Sequence, residues 1–322
     1  MTTPRVSVLL TTYNRERYVA AAIESVLAQT FEDFELLVTD NQSTDRTVEI
    51  ANQYAARDRR IRIVVNDGNL GQFGNRNRAA TLARGTLLKY HDSDDLMYPH
   101  CLATMVAMLT AHPKAWFGLS SGACWPGGPC PMLLTPRMCY QREFLGAGLF
   151  MCGPSGAIFR REAFDALGGF EDIGAPSDYL FWLRACARAH IVLLPADLFW
   201  YRMHPAQEFQ SGLAARQYAT LGRYVWAALG AKACPFEPDE REQARRNVMA
   251  KLVKATLVDL RRGRFDVARV RLAAAPPLVD WLRYMRRPRR DQFAGTPLGP
   301  NGDFQTPDWS ALETDAVRRS RR

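Results

Sequence analysis

Four short apolar runs divide the first 92 residues, and each ends in polar side chains. They are Val6-Ser7-Val8-Leu9-Leu10, Phe34-Glu35-Leu36-Leu37-Val38, Ile61-Arg62-Ile63-Val64-Val65 and Thr86-Leu87-Leu88-Lys89-Tyr90. Their length and apolar content predict strands. Helical stretches lie between them. Apolar residues recur from Val19 at Ala22, Ile23, Val26 and Leu27, one face of a helix. Ser43 or Thr44 is placed to cap a second helix running to about Ala56. A third is expected from Asn75 to Arg84, with Gly85 as its C′ residue. Alternating strands and helices predict an α/β fold with a mostly parallel sheet.

In open α/β sheets, ligands bind at the carboxyl ends of the strands. Thr11-Thr12-Tyr13-Asn14, Asp40-Asn41, Asn66-Asp67 and Asp92 all fall at such ends. They predict one shared polar site. Its most charged part is His91-Asp92-Ser93-Asp94-Asp95, with three carboxylates in four residues. Such acids repel one another unless a cation sits among them, and hard oxygen donors suit Mg2+ or Mn2+. No Gly-x-Gly-x-x-Gly follows the first strand and no Gly-Lys-Ser/Thr P-loop occurs, which argues against a dinucleotide site and a P-loop.

The later chain is less regular. Leu102–Leu109 suits a helix, and Ser120–Pro136 reads as a Gly- and Pro-rich loop. Within it, Cys124 and Cys130 flank Trp-Pro-Gly-Gly-Pro without usual zinc spacing. Gly153-Pro154-Ser155-Gly156 turns into a strand at Ala157-Ile158-Phe159, and Ser177-Asp178 opens a helix. Strand-like runs at Leu193-Leu194 and Leu198–Tyr201 follow. Beyond Ser211 the pattern is helical to about Tyr284, and the tail from Arg286 has a disordered composition.

Several of these segments, in this order, resemble family 2 glycosyltransferases. They are Val6–Arg15, Ala22–Phe31 with Asp33–Leu36, Asp40–Asp45, Arg76-Asn77, and Asp92-Ser93-Asp94-Asp95. Gly168-Gly169-Phe170, Asp178 with Trp182-Leu183-Arg184, and Tyr201-Arg202-Met203-His204 complete the set. The resemblance covers about residues 5–210. It implies a GT-A-like nucleotide-binding sheet with flanking helices, and inverting transfer from a UDP-, GDP- or dTDP-linked sugar with a divalent ion. Two departures stand out. Ser177-Asp178 replaces the family's frequent Glu-Asp, and Asn41 stands where a second acid often follows Asp40.

On that basis Asp178 is the expected general base, with a helix N-cap as the alternative role. Asp94 and Asp95 are expected to orient the metal, with His204 completing metal or diphosphate binding. Asp92 would contact the ribose or reach the metal through water. Thr11, Tyr13, Asn14, Asp40 and Arg76 are expected around the nucleotide. Tyr13 would stack on the base, Asp40 would accept from pyrimidine or ribose, and Arg76 would approach the diphosphate or else pair with Asp67. Trp182 and Leu183 are expected to pack in the core. A nucleotidyltransferase on a related fold, or an inactive nucleotide-sugar-binding relative, is the competing reading.

Charge separates the chain into unequal parts. Residues 1–210 hold 20 Lys+Arg against 21 Asp+Glu, while residues 211–322 hold 22 against 12. The expected organisation is a transferase domain over 1–210, a basic helical region over 211–285 and a disordered tail over 286–322. The basic third suggests an anionic partner, such as a membrane surface. Nucleic acid is disfavoured, because the sheet edge is acidic and the tail lacks interleaved aromatics. The start of the chain leaves no room for a signal peptide before its first strand, and the seven cysteines are odd in number. Both features predict a cytoplasmic protein; the basic third would place it peripherally at the inner face of the membrane, and the resemblance implies a glycan or lipid-linked acceptor.

Overall fold

The computed structural model describes residues 3–120, 130–204, 207 and 211–284. Strands β1 (Val6–Thr12), β2 (Phe34–Asp40), β3 (Ile61–Val65) and β4 (Leu87–Asp92) lie parallel in the order β3-β2-β1-β4. Helices α1 (Val19–Leu27), α2 (Thr47–Ala55) and α3 (Gly71–Leu82) connect them. There follow β5 (Leu96–Met97), α4 (Cys101–Ala111), β6 (Ala115–Ser120), β7 (Met132–Leu134) and α5 (Pro136–Tyr140). Helix α5 runs into a π-helical turn at Gln141–Leu145. Then come β8 (Ala157–Arg160), α6 (Arg161–Ala166), α7 (Ser177–Cys186), β9 (His190–Leu194) and β10 (Phe199–Trp200). The large sheet has the order β3-β2-β1-β4-β8-β6-β9-β7, in which β8 and β7 run antiparallel to their neighbours. Strands β5 and β10 form a small antiparallel pair that carries the acidic turn against the segment leading to His204.

The central strands are apolar on both faces because both faces are covered. Leu9, Leu37 and Tyr90 join an aromatic-rich cluster with Phe159, Phe164, Phe170, Phe181 and Trp182. Their strand neighbours Val8, Leu10, Leu36 and Val38 face the other cluster, with Ile23, Val26, Leu102 and Met105. The two-residue side-chain period divides one continuous run between two cores.

Five helices close the described chain: α8 (Gly212–Ala219), α9 (Leu221–Gly230), α10 (Pro238–Arg261), α11 (Phe265–Ala273) and α12 (Leu278–Tyr284). Val225, Leu229, Phe236 and Ala244 from this region belong to the same core as the sheet's aromatic face. No described helix is long and apolar enough to cross a membrane.

Several boundaries differ from expectation. Ser43 and Thr44 do not cap α2. The Ser43 hydroxyl donates to Asp40 (2.6 Å), and the Thr44 amide donates to the Asn14 side chain (2.8 Å), so the chain is held in a loop. Asp45 instead accepts from the Thr47 amide at 3.0 Å. Helix α3 begins four residues early, at Gly71. The expected loop at Ser120–Pro136 contains β7. Its residues 121–129, including Cys124, and the tail from Arg286 lie outside the described residues.

Gly85 does not end α3 as a C′ residue, since the helix stops at Leu82 and Ala83 is already extended. The glycine is needed for contact. A β-carbon there would lie 2.5 Å from the Ser7 backbone nitrogen. Gly85 N–H also donates to Ser7 Oγ at 2.8 Å, which seats the start of β4 on β1. Gly85→Ala is expected to cost about 2 kcal/mol or more by overpacking, read as a lowered urea midpoint with an unchanged slope.

Candidate active site

A cavity of about 1100 Å3 opens at the carboxyl ends of β1, β2 and β4. Of the expected site residues, Thr11, Tyr13, Arg76, Asp92, Asp94, Asp95 and Asp178 line it. Polar groups distant in sequence thus meet at one edge, as the strand ends predicted.

Each acid of the cluster has its own partner. Asp92 ends β4 and is ion-paired with Arg76, a buried guanidinium lying 5.0 Å over the Phe73 ring. Arg76 therefore pairs with Asp92, not Asp67. Arg76 also lines the cavity beside the acid. The Asp92 amide donates to Ser155 Oγ (2.9 Å). Burial pushes the Asp92 carboxyl up, but Arg76 and the Ser155 hydroxyl outweigh it and hold the group below the usual carboxylate range. Asp94 Oδ2 accepts from Arg15 Nε (3.2 Å) and His204 Nε2 (3.0 Å). His204 is buried and stacks on Tyr18 at 4.6 Å, so it is no loose surface side chain. Asp95 Oδ1 accepts from the Arg202 amide (3.0 Å), while Oδ2 is buried without a hydrogen-bond partner. Burial and the adjacent Asp92 charge push Asp95 up to about 8.

A carboxylate held among like charges with an orphan oxygen is chemically suited to a cation. Yet among the described residues no three His, Cys, Asp or Glu side chains form a ready-made metal cluster. Asp94 and His204 engage each other directly, so a cation would have to enter between them.

Asp178 sits in the first turn of α7, and its Oδ1 accepts from the Tyr179 amide at 2.6 Å. Ser177 does not act as the N-cap. Its hydroxyl donates to Gly174 O (2.7 Å) and accepts from Ile173 N–H (2.9 Å), bracing the turn before the helix. Burial pushes the Asp178 carboxyl up to about 7, against the opposing pull of the Tyr179 amide and Arg76. The sequence alone suggested an ordinary, weakly basic carboxylate. Its surroundings make it a stronger base near neutral pH.

Two expected nucleotide contacts serve the framework. Asp40 is buried, and it accepts from Thr12 Oγ1 (2.8 Å), Ser43 Oγ (2.6 Å) and Ser43 N–H (2.7 Å). Asn14, at φ 51°, ties the β1 loop to the β2 loop. Neither lines the cavity, and nor does His204, whose reach into it passes through Asp94.

Sequence reasoning missed other groups. Asn41 does line the cavity. Its amide donates to Asn69 Oδ1 (2.7 Å) and Gly71 O (3.2 Å), and its carbonyl accepts from Leu70 N–H (2.8 Å). A carboxylate cannot donate, which explains the amide where a second acid was the common pattern. Arg202 donates to Asp94 O (2.8 Å) and lies over the rings of Tyr18 and Trp200. Buried Lys89 donates to Tyr90 O (2.6 Å) and to Ser155 O, joining the Ser155 turn to β4. From the helical region, Gln217 Oε1 accepts from Ala175 N–H (2.8 Å) and Tyr218 OH donates to Ala175 O (3.3 Å). Asn41 and Arg202 fall in segments that carry the resemblance and Ser155 in the Gly153–Gly156 turn, whereas Lys89, Gln217 and Tyr218 carried no local signal.

The remaining motif residues hold α7 in place. Asn77 exchanges two hydrogen bonds with the Phe170 backbone (2.8 and 2.9 Å). A β-carbon on Gly169, at φ +68°, would fall 2.7 Å from Asn77 Oδ1. Arg184 donates to Gly169 O (3.1 Å), and Trp182 is fully buried.

Residues 7–168 match the family model described as Glycosyl transferase family 2. The chain belongs to that family. The glycosyltransferase EpsJ of Bacillus subtilis, described as uncharacterized, is 40% identical over 218 residues, which are 63% of this chain and 62% of that protein. The Escherichia coli UDP-Glc:alpha-D-GlcNAc-diphosphoundecaprenol beta-1,3-glucosyltransferase WfgD is 36% identical over 104 residues, or 32% of this chain and 40% of that one. The chain thus spans less than two thirds of these relatives' length. Among solved structures, S. aureus TarS 1-349 with UDP-GlcNAc aligns with a TM-score of 0.58 at 23% identity, covering 74% of this chain and 70% of that one. The mannosyltransferase PcManGT of Pyrobaculum calidifontis, with GDP-Man and Mn2+, aligns with a TM-score of 0.57 at 20% identity, covering 88% and 84%. These likenesses bear out the GT-A-like fold.

Asn41→Asp is expected to place a carboxylate against Gly71 O and Asn69 Oδ1. It should cost about 1–3 kcal/mol, measured as a lowered unfolding midpoint at pH 7, with part of the loss recovered in acid.

Proposed function

We propose that this family member transfers a sugar from a nucleotide-diphosphate sugar to an acceptor hydroxyl, with inversion at the anomeric carbon. The observation that carries the reading is Asp178, raised to about 7 by burial, on the same cavity as Asp92, Asp94 and Asp95. As a carboxylate, Asp178 accepts the acceptor's hydroxyl proton while that oxygen attacks the anomeric carbon. The bond from that carbon to the diphosphate oxygen breaks, and its electron pair leaves with the diphosphate. Attack opposite the leaving group inverts the centre.

Arg15 and Arg202 flank Asp94 and would face the charge that grows on the diphosphate. The exposed ring of Tyr13, at the cavity rim, would stack on the base, and Thr11 would contact the nucleotide beside it. Asp94, Asp95 and His204 are the residues that would hold Mn2+ or Mg2+, and the ion would neutralise the departing diphosphate. The orphan oxygen of Asp95 supports that assignment. The donor is a UDP-, GDP- or dTDP-linked sugar. The acceptor is a glycan or lipid-linked glycan in cell-surface polysaccharide or glycolipid synthesis, at the cytoplasmic face of a membrane. The name of WfgD, and the UDP-GlcNAc and GDP-Man bound in the structures of TarS and PcManGT, support a nucleotide-linked donor and a lipid-linked acceptor.

Asp178→Asn should lower transfer by about 10²-fold or more and leave donor affinity within about twofold of the parent by calorimetry. Transfer near the parent rate would remove Asp178 as the base. The ionised carboxylate is the active form, so kcat/KM should climb with pH towards and through about 7, falling about tenfold per unit below it. Asp94→Ala should weaken nucleoside-diphosphate binding in the presence of Mn2+ by roughly tenfold, with little effect in its absence. Unchanged metal dependence would exclude Asp94 from the ion's ligands.

A further inference from the structure

The turn between α10 and α11 reads Arg261-Arg262-Gly263-Arg264-Phe265. Phe265 is 67% exposed, more than any other aromatic side chain among the described residues. Leu257 and Leu260 are also exposed at the end of α10. Soluble surfaces tolerate single apolar residues, but three around one turn call for an explanation. Basic residues interleave with them. Lys254, Leu257 and Arg261 follow helical spacing on α10, as do Phe265, Arg269 and Leu272 on α11.

Lys254, Arg261 and Arg262 form no ion pair among the described residues, whereas Arg264 and Arg271 neutralise the buried Asp259 at 2.6 and 2.9 Å. The turn therefore keeps uncompensated positive charge. The same face of α10 borders a groove of about 490 Å3 lined by Val253, Lys254, Leu257 and Arg261.

We infer that the α10–α11 turn docks on an anionic phospholipid bilayer, with Phe265 as its apolar anchor. The charge complements phosphate headgroups, and the aliphatic side chains match the boundary between headgroups and acyl chains. A second copy of the chain would oppose like charge to like. A nucleic acid would leave the leucines without a stacking partner, since base recognition of this kind uses flat rings.

The test is flotation of the full chain with vesicles of phosphatidylcholine alone or with 30 mol% phosphatidylglycerol, at about 0.1 M salt. Binding is expected only to the anionic vesicles. The double variant Arg261→Gln, Arg262→Gln should bind them about twentyfold more weakly. Phe265→Ser should bind roughly tenfold more weakly. Phe265→Trp should bind as the parent does and shift its emission to the blue on vesicle addition. Equal binding to neutral vesicles, undiminished binding by both weakened variants, or binding only to a DNA duplex would each overturn the inference. Because the readout is vesicle binding, it stands or falls separately from sugar transfer.

Discussion

Carboxylates crowded at the end of β4 are the constraint around which the site is built. Three of them lie within four residues, and none could remain ionised there without separate compensation. The fold brings a different partner to each. Arg76 comes from α3 to Asp92, Arg15 from the β1 loop and His204 from beyond β10 to Asp94, and the Arg202 amide to Asp95. The outcome is two unlike acids: Asp92 is held below its ordinary range and Asp95 is raised to about 8. The small β5–β10 ladder matters because it carries the segment supplying two of those partners.

The motif residues divide between chemistry and support. Asp92, Asp94, Asp95 and Asp178 border the cavity. Asn77, Gly169, Phe170 and Arg184 brace the turn ahead of α7, and Trp182 anchors that helix in the aromatic core. Asp178 depends on that support, because its basicity arises from the protein packed around it. Ser177 fits the same scheme. It replaces a possible second carboxylate with a hydroxyl that closes the preceding turn, leaving one acid at the head of α7.

Much of this was legible in the sequence. The four leading strands, their parallel order and the convergence of polar strand ends followed from apolar periodicity and the carboxyl-end rule. The boundaries that shifted were those where side chains compete with helix caps. Ser43 is drawn to Asp40 and Thr44 to Asn14, so α2 starts later than its capping signal suggests. Asp40, the last residue of β2, was expected at the nucleotide, while Asn41, just past the strand, was given no role. Which of the two borders the cavity depends on how the chain leaves the strand, and here Asp40 turns into the framework while Asn41 reaches the cavity. The raised pKa of Asp178 could not be read in advance, since desolvation is a property of the packed surroundings and not of local sequence.

The pair of hydrogen bonds from Gln217 and Tyr218 to Ala175 joins the helical region to the turn three residues before Asp178. That region also supplies core residues to the sheet's aromatic face. A fragment trimmed to the part that looks like its family would therefore lose the brace on this turn and one side chain of the cavity lining, Tyr218. Grafting a foreign tail onto the sheet would remove the brace on the turn that leads into Asp178, even though no residue of the acidic cluster had been altered.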